Sequence, residues 1–345
     1  MALVRSLYER KSMEMMRHVY ERMRRTTRIY RAVAVVVALV AVGLGARLVL
    51  VNHRIAVIRR QAADVFYRLK AMELQVARLS ADAPERREYT ERRAGLEAAY
   101  AQWIGQLDQS SSERPDERAI RAAVARLGEA PVLVSRRFMS DVRRRVAEWR
   151  RTPDYTNAVR AAAESRIPER IESVLVANNL PPDLVWVAFQ ESRFLPTAVG
   201  PPTRFGYAKG MWQLLPATAR QYGLRVGPLV GEPRYDPRDQ RHDLIRATNA
   251  AVRYVGDLYL LDAQGSGLLV MASYNAGQTL VLRLLRSLPA TPQDRNFWQL
   301  LEHHRDEIPD ETYGYVVGIV AAAAAAAEPQ AFGLPAPPPA RSAGS

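Results

Sequence analysis

One carboxylate stands out for where its helix puts it. The stretch Leu180-Pro181-Pro182-Asp183-Leu184 carries prolines at a helix start and an acid in the first turn, a strong N-terminal signal. On the helix that follows, Leu184, Val187, Ala188 and Glu191 fall at i, i+3, i+4 and i+7, so Glu191 shares the stripe that turns inward. Burial disfavours the charged carboxylate and raises its pKa. A carboxyl group that keeps its proton near neutral pH can act as a general acid. The plainer reading is a helix-end glutamate paired with Arg193, and the helix alone favours that one. Three further clusters shift the balance. Gly210 to Ala219, with Met211, Trp212, Gln213 and Pro216, puts a glycine turn, an aromatic and an amide before a new helix. Ser273-Tyr274-Asn275-Ala276-Gly277 closes a helix with polar and aromatic groups, and Glu311-Thr312-Tyr313-Gly314-Tyr315-Val316 opens the last one. Singly, Tyr-Asn-Ala-Gly reads equally as a C-cap and Tyr315 as a core residue. Together and in this order they are specific.

These groups need elements to hold them. From about Phe138 to Ala327 short amphipathic helices follow one another and alternating strand patterns are nearly absent, which predicts a mainly α domain over 138–327. Ala321–Ala327 is expected to be the tightly packed end of its last helix. The tail 328–345, rich in Pro, Ala, Gly and Ser, is expected to be disordered. Upstream, residues 52–137 predict a helical stalk or accessory layer. There Ile55, Ile58, Ala62, Val65, Leu69, Met72, Val76 and Leu79 advance in steps of three and four, ending before a break at Ala83-Pro84. A short coiled coil and an amphipathic helix packed on its own chain fit this pattern equally. Ala32 to Val51 is an apolar run broken only by Arg47, and about twenty helical residues span a ~30 Å hydrocarbon core. A leader cleaved at Gly45-Ala46 competes, but Leu48-Val49-Leu50-Val51 continues the run past that cut. Arg17, Arg22, Arg24, Arg25, Arg28 and Arg31 precede the run, whereas Arg54, Arg59 and Arg60 follow it. The excess lies before it, so residues 1–31 are expected in the cytoplasm and all that follows Val51 outside, in the periplasm of a single-pass inner-membrane protein.

Composition narrows the chemistry. The chain has no cysteine and five histidines without zinc-like spacing, which argues against metal centres, thiol nucleophiles and disulfides, and no cofactor is expected. A net charge of +13 suits an anionic partner. No zinc finger, RNA-binding aromatic motif or basic zipper arm is present, so nucleic acid is not expected to be that partner.

The four clusters, with Asn179 to Leu184 ahead of them and Asp239-Gln240-Arg241-His242-Asp243 between, resemble the lytic transglycosylases of the soluble-lytic-transglycosylase type, glycoside hydrolase family 23, and within it the membrane-bound transglycosylase D group. That family carries Glu-Ser, then Gly-Leu-Met/Trp-Gln with Pro-Ala-Thr-Ala, then Ala-Tyr-Asn-Ala-Gly, then Glu-Thr-x-x-Tyr-Val. The likeness covers roughly 138–327. It implies a goose-type, lysozyme-like helical domain, peptidoglycan glycan strands as substrate, and an envelope or secretion machine as the kind of partner such a protein serves. It also implies that Glu191 protonates the bond between N-acetylmuramic acid and N-acetylglucosamine. Glu191 then acts as base on the muramic C6 hydroxyl, giving a 1,6-anhydro end. Ser192, Gln213, Tyr274, Asn275 and Tyr315 would bind or orient the sugar, with Tyr207 and Trp212 suited to stacking on it. A hydrolytic muramidase and a structural envelope protein on the same fold are the alternatives. The chain departs from the family pattern at Gly200, where a serine is usual, and in a longer loop 200–209, in which Thr203 is the hydroxyl available to stand in.

Overall fold

The computed structural model describes residues 2–78, 85–108, 113–263, 265–291 and 293–335. Leu79 and the break at Ala83-Pro84 lie outside these, as do residues 336–345. The chain is mainly α, 73% helical, and divides into two compact units, residues 1–58 and 59–345. Helix α1 (Ala2–Arg78) makes up the described part of the first unit and opens the second. Within the first unit the side chains from Val33 to Val51 are exposed. Among the described helices this one is long and apolar enough to cross a membrane.

The second unit continues with α2 (Glu85–Asp108), α3 (Pro115–Arg126), α4 (Arg136–Trp149), α5 (Asp154–Ser165), α6 (Ile167–Ala177) and α7 (Val185–Ser192). A hairpin of β1 (Val199–Thr203) and β2 (Gly206–Lys209) comes next. Then follow α8 (Pro216–Gln221), α9 (Leu244–Asp257), α10 (Gly267–Ala276), α11 (Gln278–Leu285), α12 (Phe297–His304) and α13 (Asp310–Ala327). Side-chain oxygens start several of them: Ser135 accepts from Phe138 N, Asp243 from Arg246 N, Ser266 from Leu269 N, and Asn296 from Trp298 N and Gln299 N. Each satisfies backbone donors that a helix start leaves free.

Helix α13 is the axis of the core, packed on by α3, α4, α7 and α10. Ala321 to Ala325 are all at most 1% exposed, as expected for its tightly packed end. Three expectations need correction. The core does not begin at Phe138: Ala119, Ile120, Ala123, Val124 and Leu127 belong to it, because α3 packs on α13. Nor is the tail disordered from Glu328, since Pro329–Phe332 forms a 3-10 turn that buries Phe332 and Leu334. The loop 200–209 is largely a hairpin, whose exposed first strand tolerates Pro201 and Pro202 because no strand among the described residues pairs with its outer edge.

Helix α1 packs on its own chain. Its buried face is Ala62, Ala63, Phe66 and Tyr67, set against Tyr100, Trp103 and Ile104 of α2 and against Ala130 and Val132. This face shares Ala62 with the heptad line and then departs from it, since Val65, Leu69 and Met72 are only half-buried. Glu129 locks the arrangement. Fully buried, it accepts from Tyr67 Oη at 2.6 Å, from Phe297 N at 2.9 Å and from Ser266 Oγ. Trp298 Nε1 donates to the neighbouring Ala130 carbonyl at 3.2 Å. Burial pushes the Glu129 carboxyl up, and the three donors oppose the shift.

Candidate active site

The turn Pro182–Leu184 leads into α7. Asp183 accepts from Arg126 Nε at 2.9 Å, which fastens this turn to α3. Leu184, Val187 and Ala188 are fully buried, so the stripe that carries Glu191 faces inward. The helix ends in two left-handed residues, Arg193 (φ 56°) and Phe194 (φ 64°). Arg193 turns its guanidinium over the Phe189 ring, 4.4 Å from the centroid, and does not pair with Glu191. Among the described residues no cation pairs with Glu191, whose hydrogen-bond partner is Tyr315: Oη donates to Oε1 at 2.5 Å. Burial without a counter-charge pushes the Glu191 carboxyl up to about 7, and the Tyr315 hydrogen bond pulls the other way. The residue stays partly accessible to solvent. A carboxyl so placed can give up a proton near neutrality.

Tyrosines surround it. Burial and the Glu191 charge hold the phenols of Tyr315 and Tyr274 well above their usual range. Tyr254 of α9 stacks obliquely on Tyr274, with centroids 5.3 Å apart. The stretch Ala247-Thr248 and Arg253-Tyr254 that follows Asp243 is part of the family likeness, but the sequence gives Tyr254 no role at the site. Tyr274 Oη donates to Trp212 O at 2.6 Å, and Ser192 Oγ donates to Met211 O at 2.8 Å while accepting from Leu195 N. Ser192 thus clamps the turn after Gly210 to α7. Gln213 sits in that turn at φ 47°, with Nε2 donating to Gly210 O at 2.7 Å. Asn275 Oδ1 accepts from Thr312 Oγ1 at 2.7 Å, which ties the end of α10 to α13. Tyr315 bonds Glu191 directly, Tyr274 lies within reach of its charge, Ser192 and Gln213 meet through the turn, and Asn275 faces Thr312.

Trp212 is fully buried, with Nε1 donating to Thr248 Oγ1, so it is core and offers no face to a sugar. Thr203 does not stand in for a site hydroxyl: at the hairpin tip it donates to Gly206 O and accepts from Phe205 N. A further support is Arg241, which sequence analysis placed only at a helix start. Paired with Asp239 and entirely buried, it donates through Nη1 to Tyr207 O at 2.8 Å and Leu214 O at 2.9 Å, joining hairpin to site turn. Gly210 (φ 79°) lets them close, because a Cβ there would lie 1.7 Å from Arg241 O. Among the described residues no group of three His, Asp or Glu is placed to hold a metal ion.

Residues 171–296 match the family model of the transglycosylase SLT domain, a span that includes α7, the hairpin and α10 but stops short of Tyr315. Over 180 residues the chain is 29% identical to proteins named membrane-bound lytic murein transglycosylase D from two strains of Escherichia coli. That alignment covers 52% of this chain and 35% of each relative, so the chain spans about a third of the length of the curated relatives it matches. Glu191 lies inside the matched span, so the likeness to the transglycosylase SLT domain covers the stretch that holds it.

Proposed function

We propose that the protein is a membrane-anchored lytic transglycosylase that cleaves peptidoglycan glycan strands, with Glu191 as acid and then base. The observation that carries this is a lone buried carboxyl raised to about 7, in contact with Tyr315 and with no cation paired to it. A two-carboxylate glycosidase needs a second acid across the bond. Among the described residues no second carboxylate contributes to the raised pKa of Glu191. A single acid suffices if the substrate supplies its own nucleophile. Glu191 gives its proton to the glycosidic oxygen between N-acetylmuramic acid and N-acetylglucosamine. The carboxylate so formed takes the proton of the muramic C6 hydroxyl as that oxygen closes on C1. The result is a 1,6-anhydro end, with no water consumed and Glu191 reprotonated. Digestion of sacculi by the purified full chain in detergent, with mass analysis of the muropeptides, tests it. Products one water lighter than hydrolytic ones support the reading. Hydrolytic products point to a muramidase, and intact strands to a structural protein.

We further propose a cytoplasmic N-terminus with the domain in the periplasm. The exposed apolar side chains from Val33 to Val51 and the arginines that precede them support this. Protease added to spheroplasts should digest the part after Val51, and its protection would overturn the orientation.

A further inference from the structure

A side chain at Gly200 would be opposed by space rather than by backbone conformation, and the opposing atom is the end of a side chain that can move. The φ of Gly200 is not in the left-handed region, yet a Cβ built on it would stand 2.6 Å from Gln213 Oε1, far inside van der Waals contact. The other near atoms, Cβ and O of Ala208, would be at an ordinary 3.5 Å. What opposes a side chain at 200 is therefore the amide of Gln213. That amide is oriented by the protein. Gly210 O can only accept, so the nitrogen must face it, and Nε2 does so at 2.7 Å. Oε1 is left pointing over Gly200 and takes no hydrogen bond from any described residue. The backbone of Gln213 is itself in the left-handed region, at φ 47°, which a non-glycine residue adopts only under constraint. It is kept there by a turn that Ser192 and Tyr274 both grip, one beside Glu191 in sequence and the other within reach of its charge.

We infer that Gly200 is a positioning residue: its missing side chain lets Gln213 present Oε1 as an acceptor for an O–H or N–H donor of the bound glycan. This rests on the transglycosylase reading and deepens it. The departure at Gly200 is thus compensated, and a serine placed there would impair the site by displacing the amide.

The test measures turnover of glycan strands by the full chain in detergent, with Gly200→Ala, Gly200→Ser, Gln213→Ala and the double variant Gly200→Ala/Gln213→Ala. Affinity for undigested strands is measured in parallel in a Glu191→Gln background. Loss of one neutral acceptor should raise KM and weaken strand binding about tenfold with kcat little changed. Each single variant should show this, and the double should be no worse than Gln213→Ala alone. Wild-type KM in folded Gly200→Ala, or a double whose loss is the product of the singles, would overturn the inference. If Gly200→Ala fails to fold, the double decides. Recovery of the fold with the kinetics of Gln213→Ala supports the steric coupling, and no recovery refutes it. If wild type cuts strands hydrolytically or not at all, the transglycosylase reading fails, while the binding series still decides the coupling. Absence of binding by every protein overturns both.

Discussion

Two glutamates, Glu129 and Glu191, have the same chemistry and opposite fates. Both are desolvated, no cation among the described residues pairs with either, and burial raises the pKa of each. Glu129 is fully enclosed and spends both oxygens on Tyr67, Ser266 and Phe297 N. Glu191 receives one donor, Tyr315, and keeps access to solvent. A raised pKa therefore does not single out an acid catalyst. What separates the two is an uncommitted oxygen with room beside it. The enclosed carboxyl holds helices together, and the open one can pass a proton.

The sharpest way to break the comparison is Glu191→Gln. Loss of a general acid/base costs on the order of a hundredfold to ten-thousandfold in rate, and a sole one should lie at the upper end. Release of anhydro-muropeptides at more than about a tenth of the wild-type rate by a normally folded variant would mean the wrong glutamate has been chosen. Next in size is Tyr315→Phe. Its hydroxyl stabilises the charged form of Glu191 and lowers the pKa, so without it the pKa should climb. The alkaline limb of the kcat/KM profile, set by deprotonation of the acid, should then move to higher pH. The maximum should fall about tenfold or more, as expected for a hydrogen bond to a charged group. A limb that stays put or moves to lower pH would contradict the assignment.

Glu129→Ala should show the reverse pattern. It strips the acceptor from buried donors, which costs about 1–3 kcal/mol of stability, read as a lower melting temperature, while turnover of the folded enzyme stays near wild type. A variant with unchanged melting but lost turnover would erase the distinction. The smallest effect is a stability difference that depends on pH. Burial makes the folded protein hold the Glu191 proton more tightly than the unfolded chain does. That stabilisation is complete below the ordinary glutamate pKa and is lost as pH rises through about 7. Glutamine has no proton to lose. The melting temperature of Glu191→Gln relative to wild type should therefore rise between about pH 5 and about pH 8.

The inward face of Glu191 was legible because its helix announces itself, although the helix alone favoured a pairing with Arg193 and only the later clusters shifted the balance. Prolines and an acid mark the start, and the period from Leu184 through Val187 and Ala188 sets the face. Nothing comparable marks Glu129. In Leu127-Gly128-Glu129-Ala130 it reads as a turn residue, and its partners Tyr67, Ser266 and Phe297 are scattered far along the chain. The same holds for α3. Its stripe of Ala119, Ile120, Ala123 and Val124 would look identical on a stalk and in the core, because periodicity reports which face is buried and not what buries it. Tyr254 had no site role in the sequence for that reason, as only the fold sets it against Tyr274. The Gly200 departure was visible, but its reason lay in a contact with Gln213.

The alanine run of α13 has a consequence for how the chain can vary. A helix with one wet side tolerates change every three or four residues. Ala321 to Ala325 have no wet side, since five successive positions turn through more than a full circle and all are closed. Every added methylene then meets packed neighbours, and overpacking typically costs about 1–3 kcal/mol. A scan of substitutions along this stretch should give an even band of intolerance without helical rhythm. The segment of lowest complexity in the sequence is thus among the least free to drift.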